Sequence, residues 1–330
     1  MVLNVVGLIV LLIVLVVAGQ KIAARGLPFF VQILAFGIAD GAIYALIALG
    51  YTMVYGIIEL INFANGDVFT LGAFIGLAVM PIVGLAEGKS SGLGMLLPLL
   101  GVFLIAMLLC GVVNVAIERL AYRPLRNAPR LAPLITAIGM SSILEGAMFM
   151  WRGPFNLHFA NLLPNPRLPL GGGAGIGLKE VTVIVAALVM MVALTLFING
   201  SRLGKAMRAT AQDRDAAQLM GIDINLTIAA TFFIGAVLAG AGGILYGLYF
   251  NNVDPFLGFR AGLIAFTAAV FGGIGNIPGA ALGGLIIGIV SSMNDAYFAS
   301  QWTDVLVFGI LIATLVFRPT GLLGMRVPEK

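Results

Sequence analysis

The chain has 330 residues, of which 10% are charged, against about 25% in an average soluble domain; 61% are hydrophobic and 44 are glycines. With a mean hydropathy of +1.10 it has too few polar residues to coat a soluble globule, so it belongs in a bilayer. The net charge of +4 then reports loop placement rather than nucleic-acid binding, and one cysteine (Cys110) with one histidine (His158) rules out an intramolecular disulfide and a cysteine metal cluster and argues against a histidine metal site.

The first apolar run is 2–18. Val16-Val17-Ala18 before Gly19 has the look of a cleavage site, but no basic residue precedes the run and Lys21 and Arg25 follow it, so a retained helix is expected. Further spans are read at 29–50, 67–86, 95–117, 131–150, 181–199, 226–250, 261–275, 280–298 and 303–317. Most of them approach the roughly 20 apolar residues that cross about 30 Å of hydrocarbon. The stretch 51–66 is also mostly apolar but holds Glu59, Asn62 and Asn65; it reads as a short crossing or as a re-entrant segment shielded by protein or water. Together these give an all-α polytopic domain over 1–330 with about 8–11 crossings or re-entrant segments and no attached soluble domain.

Basic residues gather in three places: Arg119, Arg123, Arg126 and Arg130; Arg202, Lys205, Arg208 and Arg214; and Arg318, Arg326 and Lys330. The positive-inside bias puts all three, and hence the C-terminus, in the cytosol, and leaves the loop at about 151–180 outside. Lys21 and Arg25 join the cytosolic side only if 51–66 is itself a crossing.

Glycines recur at helical spacing (Gly37/Gly41, Gly72/Gly76, Gly243/Gly247, Gly275/Gly279/Gly283, Gly284/Gly288), as close helix packing requires. Two breaks, Ile61 to Asp67 and Gly272 to Gly279, resemble each other in style and suggest an internal duplication around a transport path; tight turns are the alternative. Asp40 and Glu145 fall within spans, where a carboxylate lines a cavity or finds a partner, and neither has a Lys, Arg or His deep in the spans to pair with. The segment of about 200–225 contains a short amphipathic helix over 204–219, stopped by Gly221. Leu219 and Met220 would anchor it in a groove of another protein, or Arg202, Lys205 and Arg208 would lay it on lipid.

Within that segment, Asp215-Ala216-Ala217, three residues, then Gly221 resembles the Glu-Ala-Ala…Gly loop by which ABC importer permeases contact their ATPase. The blocks GAIYALIALGYTMVYGIIELINFANGD (41–67), IERLAYRPLRNAPRLAPLITAIGMS (117–141), GKAMRATAQDRDAAQLMGI (204–222), FTAAVFGGIGNIPGAALGGLIIGI (266–289) and RPTGLLG (318–324) resemble the smaller permease subunit of Liv-type branched-chain amino acid importers. The likeness runs from about residue 29 to 324.

It implies a type II, vitamin-importer-like ABC permease in a bacterial plasma (inner) membrane. The chain would bind no cofactor and perform no catalysis; ATP and Mg would be used by two cytosolic ATPase partners. A second permease subunit, expected to be a different, larger homologue, and an extracytosolic binding protein complete the machine. The full phosphate-binding pattern Gly-x4-Gly-Lys-Ser/Thr is absent, since Gly88-Lys89-Ser90 has Val83 where the first glycine would stand, and this agrees with the division of labour. Coupling would rest on Arg208, Asp213, Asp215, Ala216, Ala217 and Gly221. The substrate path would include Asp40, Tyr44, Asn62, Asn65, Thr267 and Asn276. Asn65 departs from the family, which often has His there, and urea and short-chain amide permeases share the architecture; Leu, Ile and Val are the expected substrates and urea or short amides the alternative.

Overall fold

A computed structural model describes residues 19–85, 92–126, 128–129, 131–163, 166–171 and 174–324. The expected helix at 2–18, and Arg130, Arg326 and Lys330, lie outside the described residues. Residues 19–25 are helical, and the α-helices that follow among the described residues are α1 (Leu27–Ile58), α2 (Ala64–Val79), α3 (Leu96–Ile117), α4 (Leu131–Arg152), α5 (Leu178–Gly200), α6 (Arg202–Gln212), α7 (Arg214–Leu219), α8 (Ile224–Phe250), α9 (Leu257–Gly272), α10 (Ile277–Tyr297) and α11 (Thr303–Phe317). Strands are confined to loops: β1 (Leu157–His158) pairs with β4 (Asn252–Val253), and β2 (Arg167–Gly171) with β3 (Ala174–Gly177), both antiparallel. Seven of the described helical stretches are long and apolar enough to cross a membrane, and α2 and α9 are shorter apolar helices. The protein is all-α and multi-pass.

Helices α1 and α8 are mostly buried, while α3, α4, α5 and α11 turn much of their surface outward. Leu104, Leu108, Ile135, Ile138, Val189, Val192 and Ile312 lie on those outward faces, as side chains do against lipid tails. The most extensive packing joins α1 to α10. A methyl group on Gly41 would lie 2.7 Å from Leu285 Cα and 2.9 Å from Gly284 O, and one on Gly37 would lie 2.7 Å from Ile289 Cα. From the other side, a Cβ on Gly284 would meet Ala45, and one on Gly288 would meet the Gly41 backbone. Backbone lies on backbone here, so the repeating glycines of both helices are read as sequence predicts. Gly72 of α2 against Gly240 of α8 repeats the device.

The contacts sort the loops into two ends. At one end Arg126 donates to Asn225 (2.7 Å), Arg214 donates to Ile57 O (3.0 Å), Gly275 lies beside Gly56, and Leu322 N–H donates to Phe271 O (2.8 Å). The described basic residues at 119–126, 202–214 and 318 therefore gather there, and this is called the basic end. At the far end β1 meets β4, and Arg260 meets Asp304 at 3.0 Å.

The reading of 51–66 is corrected in part. Residues 51–58 continue α1, whose last turn closes when the Glu59 N–H bonds Tyr55 O (2.8 Å) with Glu59 left-handed at φ 56. No separate crossing exists, so the parity condition fails: Lys21 donates to Tyr297 O (2.8 Å) and Arg25 to Ala296 O, placing both at the far end. The re-entrant alternative fits. Asn65 Nδ2 donates to Ile47 O (3.3 Å), eleven residues before the end of α1, so α2 starts about 16 Å back inside from that end. The non-helical stretch 59–63 climbs that distance with Asn62 only 1% exposed, and protein covers backbone that lipid could not. The second break is different in kind: Gly273 (φ 114) and Gly275 (φ 88) make a tight turn at the basic end.

The α1–α10 contact generates a prediction. Gly288→Leu is expected to lower the thermal midpoint of the purified protein, overpacking there costing about 1–3 kcal/mol or more. Gly139→Leu on α4, where nothing lies within 4 Å of the added carbon, is expected to change stability by less than about 0.5 kcal/mol. Equal melting of the two variants would mean the contact is loose.

Candidate transport path and its two ends

At the basic end the amphipathic segment is two helices rather than one over 204–219. Ser201 caps α6 by accepting from Gly204 N–H (2.9 Å). The chain then extends at Asp213, whose carboxylate accepts from the N–H groups of Asp215 (2.9 Å) and Ala216 (3.0 Å) and starts α7. Gly221 ends it at φ 83, a left-handed conformation that suits glycine. Asp213 and Gly221 thus shape the segment, while Asp215 and Ala216 are exposed and Ala217 is buried. Arg208 donates to Ile198 O, holding α6 under the end of α5. Leu219 and Met220 stand 88% and 83% exposed, unpartnered apolar side chains at the tip.

This segment faces the break across a cavity of about 660 Å³, lined by Tyr55, Ile57–Ile61, Glu118, Tyr122, Arg126 and Thr210–Asp215 among others. Two hydrogen bonds join its walls: Arg214 to Ile57 O, and Tyr122 Oη donating to Asn62 Oδ1 at 2.7 Å. Tyr122 and Glu118 belong to one π-helical turn, Glu118–Tyr122, which continues α3 and directs both side chains inward. Glu118 pairs with Arg126, and Tyr122 packs on Phe232 at a ring separation of 5.5 Å.

Above the break the polar residues are deeply buried. Asn65 is fully buried between Ile47, Gly50 and Gly235, and Asp67 accepts from Ser141 Oγ beside Gly258 at the start of α9. An acid in that position meets the positive end of a helix. Toward the far end, Asp40 accepts from Ser292 Oγ of α10 (3.0 Å) and opens, with Glu180, Tyr249 and Asp295, on a cleft of about 560 Å³. Tyr44, one turn along α1, is partly buried against the core.

The expected path residues therefore divide. Asp40 and Tyr44 belong to the far half, Asn62 and Asn65 to the break. The other two have local tasks. Thr267 Oγ1 donates to Leu263 O within α9 (2.9 Å). Asn276 caps α10 by accepting from Gly279 N–H (3.4 Å) and ties down the tail by donating to Leu323 O (2.6 Å) at the basic end. Sequence reasoning missed Tyr122, Arg214 and Glu180. The first two lie in blocks read for their charge, where a tyrosine among arginines carries no signal of its own; Glu180 sits at a span edge, where an acid is unremarked.

The family described as Branched-chain amino acid transport system / permease component matches residues 33–315. The chain belongs to that family. The high-affinity branched-chain amino acid transport system permease protein BraD of Pseudomonas aeruginosa is 43% identical, over 91% of this chain and 98% of its own. The correspondingly named LivH of Escherichia coli K12 is 41% identical, over 92% and 98%. A probable branched-chain amino acid transport permease protein, LivM of Methanocaldococcus jannaschii, is 24% identical, over 92% and 86%. Among solved structures, PsaBC from Streptococcus pneumoniae in complex with Fab aligns over 88% of this chain and 92% of that one, at 14% identity and a TM-score of 0.45.

The bond between Tyr122 and Asn62 yields a test within this permease. Tyr122→Phe leaves the buried Asn62 amide without a partner, and unfolding experiments are expected to register a loss of about 1–3 kcal/mol. Wild-type stability would mean the break does not depend on that bond.

Proposed function

We propose that the chain is the membrane-spanning permease subunit of an ATP-driven importer of branched-chain amino acids. The observation that carries the reading is the likeness to BraD and LivH, above 40% identity and end to end in those proteins. Their names favour Leu, Ile and Val over urea or short amides. The chain performs no bond chemistry. Two ATPase partners, using ATP and Mg, press on the basic end in the cytosol through Leu219, Met220 and the exposed part of α7. A binding protein delivers substrate at the far end, outside, and a second, larger permease subunit of the LivM kind completes the path.

The geometry suggests how force travels. Arg214 grips the last turn of α1 and Tyr122 grips the break, so a displacement of α6 and α7 reaches backbone that starts partway through the membrane. Asp40 and Tyr44 line the outer half of the route and Asn62 and Asn65 the inner.

In liposomes holding the chain with its co-purified partners and a binding protein, leucine is expected to stimulate ATP hydrolysis and urea is not. Stimulation by urea alone would overturn the substrate, and absence of any associated ATPase would overturn the machine. Within the same assay, Ala217→Leu is expected to leave the complex assembled and hydrolysing ATP while uptake falls at least ten-fold. Undiminished uptake would remove α7 from the coupling role.

A further inference from the structure

The cleft at the far end lies between α1, α5, α8 and α10, and its volume of about 560 Å³ is in the range of small-molecule sites. Two carboxylates line it, Glu180 from a buried position and Asp40 from a partly buried one. Glu180, in the first turn of α5, is 5% exposed, and its Oε2 has no hydrogen-bond partner. Asp40 spends Oδ2 on Ser292 and leaves Oδ1, also buried, without one. A buried carboxylate is costly unless a counter-charge and hydrogen-bond donors meet it.

Lys179 also lines the cleft, but it and the other cations nearby have further engagements. Lys179 Nζ lies 2.6 Å from Asn251 Oδ1, and Lys21 and Arg25 donate to the carbonyls that end α10. Asp295 adds a further acid at the rim. A metal ion does not fit the pattern: among the described residues no three Asp, Glu, His or Cys side chains converge closely enough to hold one. The remaining walls are Ile33, Phe36, Tyr249 and Phe250, apolar and aromatic surface suited to a hydrocarbon body and to the charge of an organic cation.

We propose that this cleft binds a primary ammonium group carried on an apolar body, with Asp40 and Glu180 receiving its N–H donors and the aromatic wall receiving the hydrocarbon. Two sources present that chemistry here: an aliphatic amino acid entering the path, or the headgroup of an ethanolamine lipid. The first source rests on the importer reading above; the ammonium site does not.

The test uses the assembled complex in nanodiscs of phosphatidylcholine alone, without ATP or binding protein. The probes are 3-methylbutylamine, 4-methylpentanoate and L-leucine, and binding is read by calorimetry. The amine is expected to bind and the carboxylate to fail. Glu180→Gln and Asp40→Asn are each expected to weaken the amine at least ten-fold in complexes that still co-purify with their partners. Competition by leucine supports the amino acid as occupant, and competition by phosphatidylethanolamine added to the disc supports the lipid. If 4-methylpentanoate binds as well as the amine, or if both substitutions leave amine affinity unchanged, the proposal is wrong. Should either variant fail to assemble, Ser292→Ala, which loosens Asp40 without altering charge, carries the same expectation of weaker binding. Because no transport is measured, a failed uptake assay and a failed amine assay overturn different claims.

Discussion

The approach of α1 to α10 fixes where everything else can be. With Gly41 and Gly288 in backbone contact, neither helix can rotate or slide without collision, and residues one turn away are placed by consequence. Asp40 adjoins Gly41 and Ser292 lies one turn beyond Gly288, so the hydrogen bond between them follows from the seam. Further along α1, Gly50 admits Asn65 and Gly235, and Gly56 admits Gly275. One helix thus positions the far cleft, the start of α2 and the turn at the basic end. Small residues supply this because lipid tails offer no hydrophobic drive between helices; close packing has to do it instead.

The break at 59–63 is the opposite sort of structure. It gives up helical hydrogen bonding inside the membrane, and the residues around it hold polar atoms in unusual concentration: Asn62 Nδ2, Asn65 Oδ1, Asp67 Oδ1 and Thr70 Oγ1 are all buried without a hydrogen-bond partner. Unpartnered polar atoms can take up new partners, whereas interlocked glycine seams cannot part without separating helices. A rigid seam beside a stretch whose polar partners can change is a sensible arrangement for a path that must open toward alternate sides.

Much of this was legible in the sequence. Apolar runs located the helices because each must satisfy its backbone internally, and glycine spacing located the seams because only small residues allow such contact. The reading stalled where local pattern is silent about neighbours. Hydropathy extends through Tyr51 to Ile58 and then weakens, but it cannot tell a long helix with a re-entrant return from two crossings. Lys21 and Arg25 look cytosolic by charge, yet they cap the carbonyl end of α10, a partner more than 270 residues away. Asn276 sits in a suggestive motif and turned out to be a helix cap, a task asparagine performs at many turns. Tyr122 and Glu180 matter only through what they touch, and sequence records no contacts.

The account depends on the two ends doing different work, the basic end meeting ATPases in the cytosol and the cleft facing outward. Side-specific thiol labelling tests this most directly. In a Cys110→Ala background, Leu219→Cys at the tip of the basic end and Ser300→Cys at the far end would each be treated with a membrane-impermeant maleimide, before and after permeabilising the cells. The account predicts that Ser300→Cys labels in intact cells and Leu219→Cys only after permeabilisation. The reverse pattern would place the cleft in the cytosol and contradict both the coupling role of α6 and α7 and the direction of transport.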